Sequence, residues 1–269
     1  MSTPEIACII PVKDRRELVA QAIESVLTQT LHPQEIVVVD DGSKDGTPEA
    51  IKRRFPQVKL IKARGLGPGG ARNLGAESTK AKILMFLDSD DLWMNNHVNE
   101  LLCPIYKHGG CSFGITLNEG PYLGKPFLIP GKEFDKDKPI HKNLFRWCSL
   151  VPSSFAIERN IFLEAGGFLR LALGEDWLFF TTVALRYRFH FVPVIVTKRR
   201  IHAQNLCWKN FSAKSALYVI KKLQKMASKN SMDKEVRHLE KISNLIVNEG
   251  NEWKNVQDWY MSLRRHSLI

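Results

Sequence analysis

The first 102 residues alternate four strand-like runs with helical segments, and this alternation restricts the fold more than any other feature of the sequence. The runs are EIACII (5–10), EIVVVDD (35–41), VKLIKA (58–63) and KILMFLD (82–88). Apolar residues at helical spacing follow the first run, in LVAQAIESVL (18–27). Strands that alternate with helices form a parallel sheet with helices on both faces. The fold class is therefore α/β.

Three more helices can be placed within this region. Thr47 has the side chain of an N-cap, and Pro48 suits the first helical position, so a helix is expected to start there. The glycine-rich GLGPGG (65–70) is expected to form a loop before a helix over ARNLGAEST (71–79). A further helix is expected over NNHVNELL (95–102).

Polar residues collect where the four strands are predicted to end. The segments at these ends read PVKD, DDGS, RGLGPGG and DSDD. Ligands of open α/β sheets bind outside the carboxyl ends of the strands. The sequence therefore predicts a binding site at this edge of the sheet.

The rest of the chain is less regular until about residue 212. GCSFGITL and HFVPVIVTKR have the composition of strands, whereas ERNIFLEAGGF and GEDWLFFTTVALRY are typical of helices. From about 212 onward the pattern is helical to the C-terminus. We therefore expect a helical extension at the C-terminal end of the chain.

Positive charge is concentrated in that extension. The net charge is +11, and from Lys198 onward 15 Lys and Arg face only 6 Asp and Glu. A nucleic-acid binder is one class that such a charge suggests, but the region carries no recognised nucleic-acid motif. A solvated basic helix face packed through its apolar side is the commoner meaning of the pattern. Contact with anionic lipid is the sharper hypothesis.

Targeting signals are not evident. No run approaches 18 apolar residues, and MSTPEIACIIPVKD has no basic region before its apolar run. The five cysteines, at 8, 103, 111, 148 and 207, are scattered and include no C-x-x-C pair. We expect a cytoplasmic protein with reduced thiols, peripheral at the inner face of the membrane if the basic helices bind lipid.

Three carboxylates in DSDD suggest a metal site. Asp88, Asp90 and Asp91 follow an apolar strand, and like charges so close repel unless a cation intervenes. Mg²⁺ and Mn²⁺ take carboxylate oxygens together with substrate phosphates. An acidic N-terminal cap on the next helix is the alternative, which Asp91 suits. The position after a buried strand favours the metal.

Other polar positions are ambiguous when each is taken alone. Asp40 and Asp41 suit either a turn or a contact to a nucleobase or ribose. Glu175 and Asp176 suit either the first turn of a helix or a general base. His202 suits a basic surface loop, or a diphosphate or metal contact.

The motifs in this order resemble the family 2 glycosyltransferases. The resemblance rests on ACIIPVKDRRELVAQAIESVLTQTLHPQEIVVVDDGSKDGT, GPGGARNLGAESTKAKILMFLDSDD, GGF and GEDW, and covers about residues 5 to 205. It implies the GT-A fold: a Rossmann-like, mixed, mainly parallel sheet flanked by helices. The implied domains are 1–208, with a nucleotide-binding half (1–102) and an acceptor-binding half (103–208), and a basic helical extension (209–269).

The resemblance also implies a role for each matching residue. The nucleotide-binding set is Pro11, Lys13, Asp14, Asp40, Asp41, Arg72, Asn73 and Asp88. The implied metal set is Asp90, Asp91 and His202, for Mn²⁺ or Mg²⁺. The implied catalytic base is Asp176, with Glu175 and Trp177 on the acceptor side. Two departures are Lys13-Asp14, where Tyr-Asn is frequent, and LRLAL after GGF, where an acidic start is usual.

The activity implied is inverting transfer of a sugar from a nucleoside-diphosphate sugar, with UDP as the expected carrier, to an acceptor hydroxyl. The expected acceptor is a saccharide or lipid-linked glycan of the cell envelope. No specific nucleic acid is expected as a partner.

Two other enzyme classes compete with this interpretation. Gly65, Gly67 and Gly70 spell the dinucleotide fingerprint G-x-G-x-x-G, with Asp88 as its acid. The fingerprint belongs after the first strand, however, and here it follows the third. A sugar-phosphate nucleotidylyltransferase usually has G-x-G-T-R after its first strand, where this chain has PVKDRREL.

Overall fold

The computed structural model describes residues 5–121, 123, 125–205, 211–253 and 256–268. The strands are β1 (Ile6–Val12), β2 (Glu35–Asp40), β3 (Lys59–Lys62), β4 (Ile83–Phe86), β5 (Leu92–Trp93), β6 (Cys111–Glu119), β7 (Phe127–Ile129), β8 (Phe155–Glu158) and β9 (Phe189–Arg200). The helices are α1 (Arg16–Leu27), α2 (Thr47–Arg54), α3 (Gly67–Glu77), α4 (His97–His108), α5 (Ile140–Leu144), α6 (Arg159–Glu164), α7 (Glu175–Ala184), α8 (Ala213–Lys229), α9 (Asp233–Glu249) and α10 (Val256–Arg265).

Within the described ranges, one mixed sheet contains all nine strands. Its order is β3-β2-β1-β4-β8-β6-β9-β5, and β7 pairs with β6. The first four strands of the order are parallel to one another, as the alternating pattern predicts. β8 is antiparallel to both β4 and β6. The predicted mixed α/β sheet flanked by helices is confirmed, and the predicted nucleotide and acceptor halves share it.

β1 continues through Pro11 and ends at Val12, two residues beyond the predicted strand. The registered pairs with β4 end at Ile9, whereas those with β2 continue to Val12. Proline has no backbone N–H to donate. Pro11 is tolerated because only one neighbouring strand remains in register at that position.

Two helix starts differ from the prediction. Thr47 is the first residue of α2 and Gly46, with φ of 81°, is the N-cap. The Thr47 backbone N–H donates instead to Asp45 Oδ1 at 3.0 Å. Helix α3 begins at Gly67, four residues before the predicted start.

The early start of α3 has a clear physical cause. The first N–H groups of a helix have no partner within the helix. Both carboxylate oxygens of Asp41 accept such groups: Oδ1 from Leu66 N at 2.7 Å and Oδ2 from Gly67 N at 2.9 Å. Gly75, later in the same helix, allows α3 to pack closely on β1, since a Cβ at this position would lie 2.5 Å from Ile9 Cγ2. GLGPGG is therefore mainly the first turn of a helix.

The C-terminal helices pack on the main core. Val219 and Ile220 of α8 and Leu239 of α9 are buried in the same apolar cluster as Trp177 and Phe179 of α7. The predicted helical extension is present and shares its core with the sheet's helices. No helix in the described ranges is both long and apolar enough to span a membrane. The four described cysteines are free thiols, and Cys207 lies outside the described residues.

Candidate active site

The carboxyl ends of β1, β2 and β4 meet at one edge of the sheet, as the sequence predicts. Asp40 ends β2 and is buried, and its Oδ2 accepts from Ser43 N at 3.3 Å. Its Oδ1 is buried without a hydrogen-bond partner in the described structure. Asp41 is buried at the same edge and holds the N-terminus of α3. Both acids therefore also serve the local fold, and Asp40 keeps one acceptor oxygen unused.

The loop after β1 is exposed and tied to the loop after β2. Asp14 has φ of 50°, in the left-handed region that a residue other than glycine rarely adopts. Its N–H donates to Ser43 Oγ at 2.8 Å, and its Oδ1 accepts from Lys44 N at 2.6 Å. Lys13 beside it is exposed, whereas Pro11 is buried within β1. Lys13 and Asp14 thus lie at the rim of the same edge.

A buried arginine links the two halves of the sheet. Arg72, on α3, is 3% exposed and forms an ion pair with Asp88 after β4. Its Nη1 lies 3.2 Å from Glu175 Oε1 at the start of α7. The guanidinium carbon also lies 5.2 Å from the centre of the Phe168 ring. Arg72 therefore places α3, β4 and α7 around one positive charge.

Asn73 uses its side chain on the protein itself. Its Nδ2 donates to Phe168 O at 2.8 Å, and its Oδ1 accepts from Phe168 N at 2.9 Å. A side-chain amide that satisfies both backbone groups of one residue fixes that residue's position. The structure thus shows Asn73 fixing the segment before α7, and a nucleotide contact for Asn73 stays a prediction.

Asp90 is the most heavily contacted acid of DSDD. Three nitrogens surround its Oδ2: Arg15 Nη1 at 2.8 Å, His202 Nε2 at 3.1 Å and Asn205 Nδ2 at 3.1 Å. Burial acts to raise the pKa of Asp90, but the His202 hydrogen bond and the Arg15 charge outweigh it and hold that pKa below its ordinary value. Asp90 is therefore a carboxylate in a cluster of donors.

Asp91 lies behind Asp90 and is 2% exposed. Its Oδ2 accepts from Ser153 Oγ at 2.6 Å and its Oδ1 from Arg200 N at 3.4 Å. Burial, followed by the charges of Asp90 and Asp88, raises the pKa of Asp91 to about 8. The structure brings Asp90 and His202 together but gives Asp91 separate partners, so its metal role stays a prediction.

Asp90 and His202 fit part of a metal site. Among the described residues, no three His, Cys, Asp or Glu side chains converge as a complete metal site. Mg²⁺ is bound through one or two carboxylates when substrate phosphates and water supply the other ligands, and carboxylate oxygen suits both Mg²⁺ and Mn²⁺. The positive charge of Arg15 on Asp90 shows that this oxygen already holds a cationic group.

The first turn of α7 presents two adjacent acids. Asp176 is partly exposed, and its Oδ1 accepts from Trp177 N at 2.7 Å. Burial raises the pKa of Asp176, although Arg72 acts to lower it. Burial and the charge of Asp176 raise the pKa of Glu175 to about 7, against the opposing charge of Arg72. An acid with a raised pKa has the character of a general base.

Trp177 faces inward from the same turn. It is 3% exposed, and its Nε1 donates to Leu144 O at 2.6 Å. Its ring packs against Trp147, with 5.8 Å between the ring centres. Trp177 thus fixes α7 against α5, so a direct acceptor contact for it stays a prediction.

Four residues that contact the site acids were not predicted as site residues from the sequence. Arg15 and Asn205 contact Asp90, while Ser153 and Arg200 contact Asp91. Ser153 lies in the irregular middle of the chain and is brought there by β8. Arg15 and Asn205 each lie close in sequence to a predicted residue, which is the signal that could have found them.

Comparisons with known proteins identify the family and the fold. A family model described as Glycosyl transferase family 2 matches residues 7–145. A Rickettsia bellii protein described as an uncharacterized glycosyltransferase is 28% identical over 218 residues, which cover 77% of this chain and 30% of that protein. The chain thus spans less than a third of the length of this relative. A Campylobacter jejuni GalNAc(5)-diNAcBac-PP-undecaprenol beta-1,3-glucosyltransferase is 28% identical over 167 residues, 60% of this chain and 53% of the enzyme.

Solved structures share the fold. Staphylococcus aureus TarS 1–349 in complex with UDP-GlcNAc superposes with a TM-score of 0.67 at 18% identity, covering 82% of this chain and 65% of TarS 1–349. The Pyrobaculum calidifontis mannosyltransferase PcManGT, in complex with GDP-Man and Mn²⁺, gives a TM-score of 0.64 at 18% identity. The match covers 99% of this chain and 76% of PcManGT. At these identities the likeness establishes the fold.

Proposed function

Because the chain belongs to glycosyl transferase family 2, whose model matches residues 7–145, we propose that it is an inverting glycosyltransferase. It would move a sugar from a nucleoside-diphosphate sugar to an acceptor hydroxyl. One observation carries the proposal. Arg72 gathers Asp88, beside the acids after β4, and Glu175, beside Asp176, around a single charge.

The donor proposed is a UDP-sugar, bound at the carboxyl ends of β1, β2 and β4. TarS, which shares the fold, has been solved with UDP-GlcNAc. Asp40 supports the proposal because its Oδ1 is a buried acceptor without a partner, as a base or ribose donor would require. Lys13 and Asp14 at the rim complete the nucleotide set that the family resemblance implies.

We propose that Asp90 and His202 hold a divalent cation, Mn²⁺ or Mg²⁺, together with the donor's diphosphate oxygens. Such a cation, when bound, neutralises charge on the departing nucleoside diphosphate. PcManGT, which shares the fold, has been solved in complex with GDP-Man and Mn²⁺. Asn205 Nδ2 donates to Asp90 Oδ2 at 3.1 Å and to the Arg200 carbonyl at 3.2 Å, so Asn205 helps to orient the carboxylate.

Asp176 is the proposed base. It would accept the proton of the acceptor hydroxyl as that oxygen attacks the anomeric carbon and the diphosphate departs from the opposite side. Asp176 is partly exposed as a residue, in the first turn of α7. Its amide contact through Oδ1 fixes the side chain and leaves Oδ2 for the proton. Glu175, held by Arg72, would stay behind it as a positioning residue.

The proposed acceptor is a saccharide or a lipid-linked glycan in cell-envelope synthesis. The Campylobacter jejuni relative is named for an undecaprenol-linked substrate. A Bacillus subtilis relative, 34% identical over 132 residues, is named as a minor teichoic acid biosynthesis protein. These names support an envelope acceptor and leave the sugar and the linkage open.

A nucleotide-release assay tests the proposed reaction. UDP-, GDP- and TDP-sugars are offered with candidate acceptors, with Mn²⁺, Mg²⁺ or EDTA, and without acceptor to measure plain hydrolysis. We expect UDP release that depends on both acceptor and cation. Calorimetry in which no nucleoside diphosphate binds, while NAD does, would instead support a dinucleotide enzyme.

We also propose peripheral contact with an anionic membrane through α8. Its exposed lysines form a lysine stripe, defined as Lys214, Lys221, Lys222, Lys225 and Lys229. The stripe is about 22 Å long at 1.5 Å per residue, and α8 contains no Asp or Glu. Within the described ranges, none of these lysines forms an ion pair. The opposite face of α8 is packed in the core, so the stripe is free to meet anionic headgroups.

Vesicle binding tests the lysine stripe. Lysines near an anionic surface contribute about 1 kcal/mol each. Changing all five to Gln should therefore lower partitioning to phosphatidylcholine–phosphatidylglycerol vesicles at least about a hundredfold in low salt. The control changes five other exposed lysines to Gln: Lys52, Lys80, Lys107, Lys132 and Lys136. Equal loss in both variants would show a non-specific charge effect and contradict the proposal.

A further inference from the structure

Arg15 is a cation already in contact with the acid proposed to hold a metal. It lies at the N-cap of α1, and its Nη1 is 2.8 Å from Asp90 Oδ2. The side chains are 13% and 7% exposed, so water screens the pair weakly. The Arg15 side chain also donates to Ser89 Oγ and to the Gln204 carbonyl, both at 3.3 Å.

This arrangement blocks Asp90 Oδ2. Arg15, His202 and Asn205 already place three nitrogens within 3.1 Å of that one oxygen. A divalent cation on the same carboxylate would lie next to a guanidinium, and two positive charges at such a distance repel strongly where water is scarce. Arg15 and a bound cation therefore exclude one another at Asp90.

The Arg15 side chain has open space beside it into which it could move. An open groove adjoins its side chain and is bordered by Arg16, by the three acids Asp14, Glu17 and Asp45, and by Gln204. A donor diphosphate arriving at this edge brings negative charge that a guanidinium recognises through paired N–H groups. The cation and the diphosphate together thus offer Asp90 and Arg15 a new partner each.

We propose that Arg15 is a donor-binding residue that exchanges Asp90 for the donor diphosphate. In the free enzyme it neutralises Asp90 and keeps free divalent cations out. With the cation and donor present, Arg15 leaves Asp90 and contacts the diphosphate, so that cation and nucleotide bind together. This inference rests on the proposed function and adds to it that binding of the cation is coupled to binding of the donor.

Mn²⁺ binding without nucleotide tests the exclusion. Titrations of the full chain are followed by electron paramagnetic resonance of free Mn²⁺. Arg15→Met should bind Mn²⁺ about tenfold more tightly than the unchanged protein, which corresponds to about 1.4 kcal/mol. Calorimetry with UDP at saturating Mn²⁺ tests the second contact, and there Arg15→Met should lower UDP affinity about tenfold.

Arg16→Met is the matched control. Arg16 borders the same groove but pairs with Glu17 at 3.0 Å and is exposed. The Arg16→Met substitution removes the same charge from the neighbouring position, and we expect it to leave both the Mn²⁺ affinity and the UDP affinity unchanged. Arg15→Gln keeps a polar side chain and is measured if Arg15→Met unfolds. Circular dichroism establishes that each variant is folded.

The two failures can be told apart. An Arg15 variant that leaves either affinity unchanged overturns the exchange and makes Arg15 a fixed link between α1 and the segment after β9. Absence of UDP binding in the unchanged protein instead contradicts the proposed function itself. Opposite shifts, tighter Mn²⁺ and weaker UDP, are the result that the exchange requires.

Discussion

Replacing Asp176 with Asn should lower the turnover number for sugar transfer about a thousandfold and leave UDP affinity unchanged. A positioned general base contributes roughly 10² to 10⁴ in rate, and Asn cannot accept the proton. The amide keeps the size and the acceptor oxygen that Trp177 N contacts. The effect should therefore fall on turnover and spare the fold and the donor site.

The control for this substitution is Asp233→Asn. Asp233 is also an acid in the first turn of a helix, α9, but it is exposed and far in sequence from the site. The pH dependence provides a second readout. Because burial raises the pKa of Asp176, and a base works only when deprotonated, turnover should rise with pH through that raised pKa. Turnover of Asp176→Asn within threefold of normal would remove the base assignment.

Replacing Arg72 with Met should lower the free energy of unfolding by about 3–5 kcal/mol, as expected when one member of a buried ion pair is removed. Removal of the guanidinium leaves Glu175, which is 8% exposed, without its cation, and Asp88 loses its ion pair with Arg72. Urea unfolding at pH 8 measures the effect. At pH 5 the loss should shrink, because Glu175, whose pKa is already about 7, is then protonated.

Two variants test the physical cause of this loss. Arg72→Met with Glu175→Gln should recover part of the stability, because the unpaired buried charge is gone. Arg54→Met is the matched surface control: Arg54 pairs with Glu24 at 2.9 Å and lies 5.3 Å from the centre of the Phe55 ring, but it is exposed. It should cost less than about 1 kcal/mol. Equal losses at both arginines would contradict the role of burial.

The strands of the N-terminal half were predictable because buried parallel strands are continuous apolar runs. The start of α3 was not, because it depends on Asp41, 26 residues before Gly67, which satisfies the first amides of the helix. The spacing of residues along the sequence does not predict a contact between a carboxylate and helix amides so far apart in the chain. The site acids could be listed from their motifs, whereas their partners could not.

Arg72 illustrates the same limit. Its motif placed it near the nucleotide, but its burial between Asp88 and Glu175 depends on how α7 docks against β4. Ser153 contacts Asp91 only because β8 inserts beside β4. The position of β8 beside β4 cannot be predicted from the local sequence, because the two strands are about 70 residues apart in the chain and meet only through tertiary packing.

The strand order has a consequence for recombining this chain with its relatives. β8 lies between β4 and β6, so strands of the predicted halves 1–102 and 103–208 are hydrogen-bonded neighbours. The family match ends at residue 145, before β8 begins. A chimera joined at residue 102 or at residue 145 would place a β8 strand from another protein in the centre of the sheet. That strand would pair with β4, the strand that leads to Asp88. Exchange of surface loops would instead leave the strand order of the sheet intact.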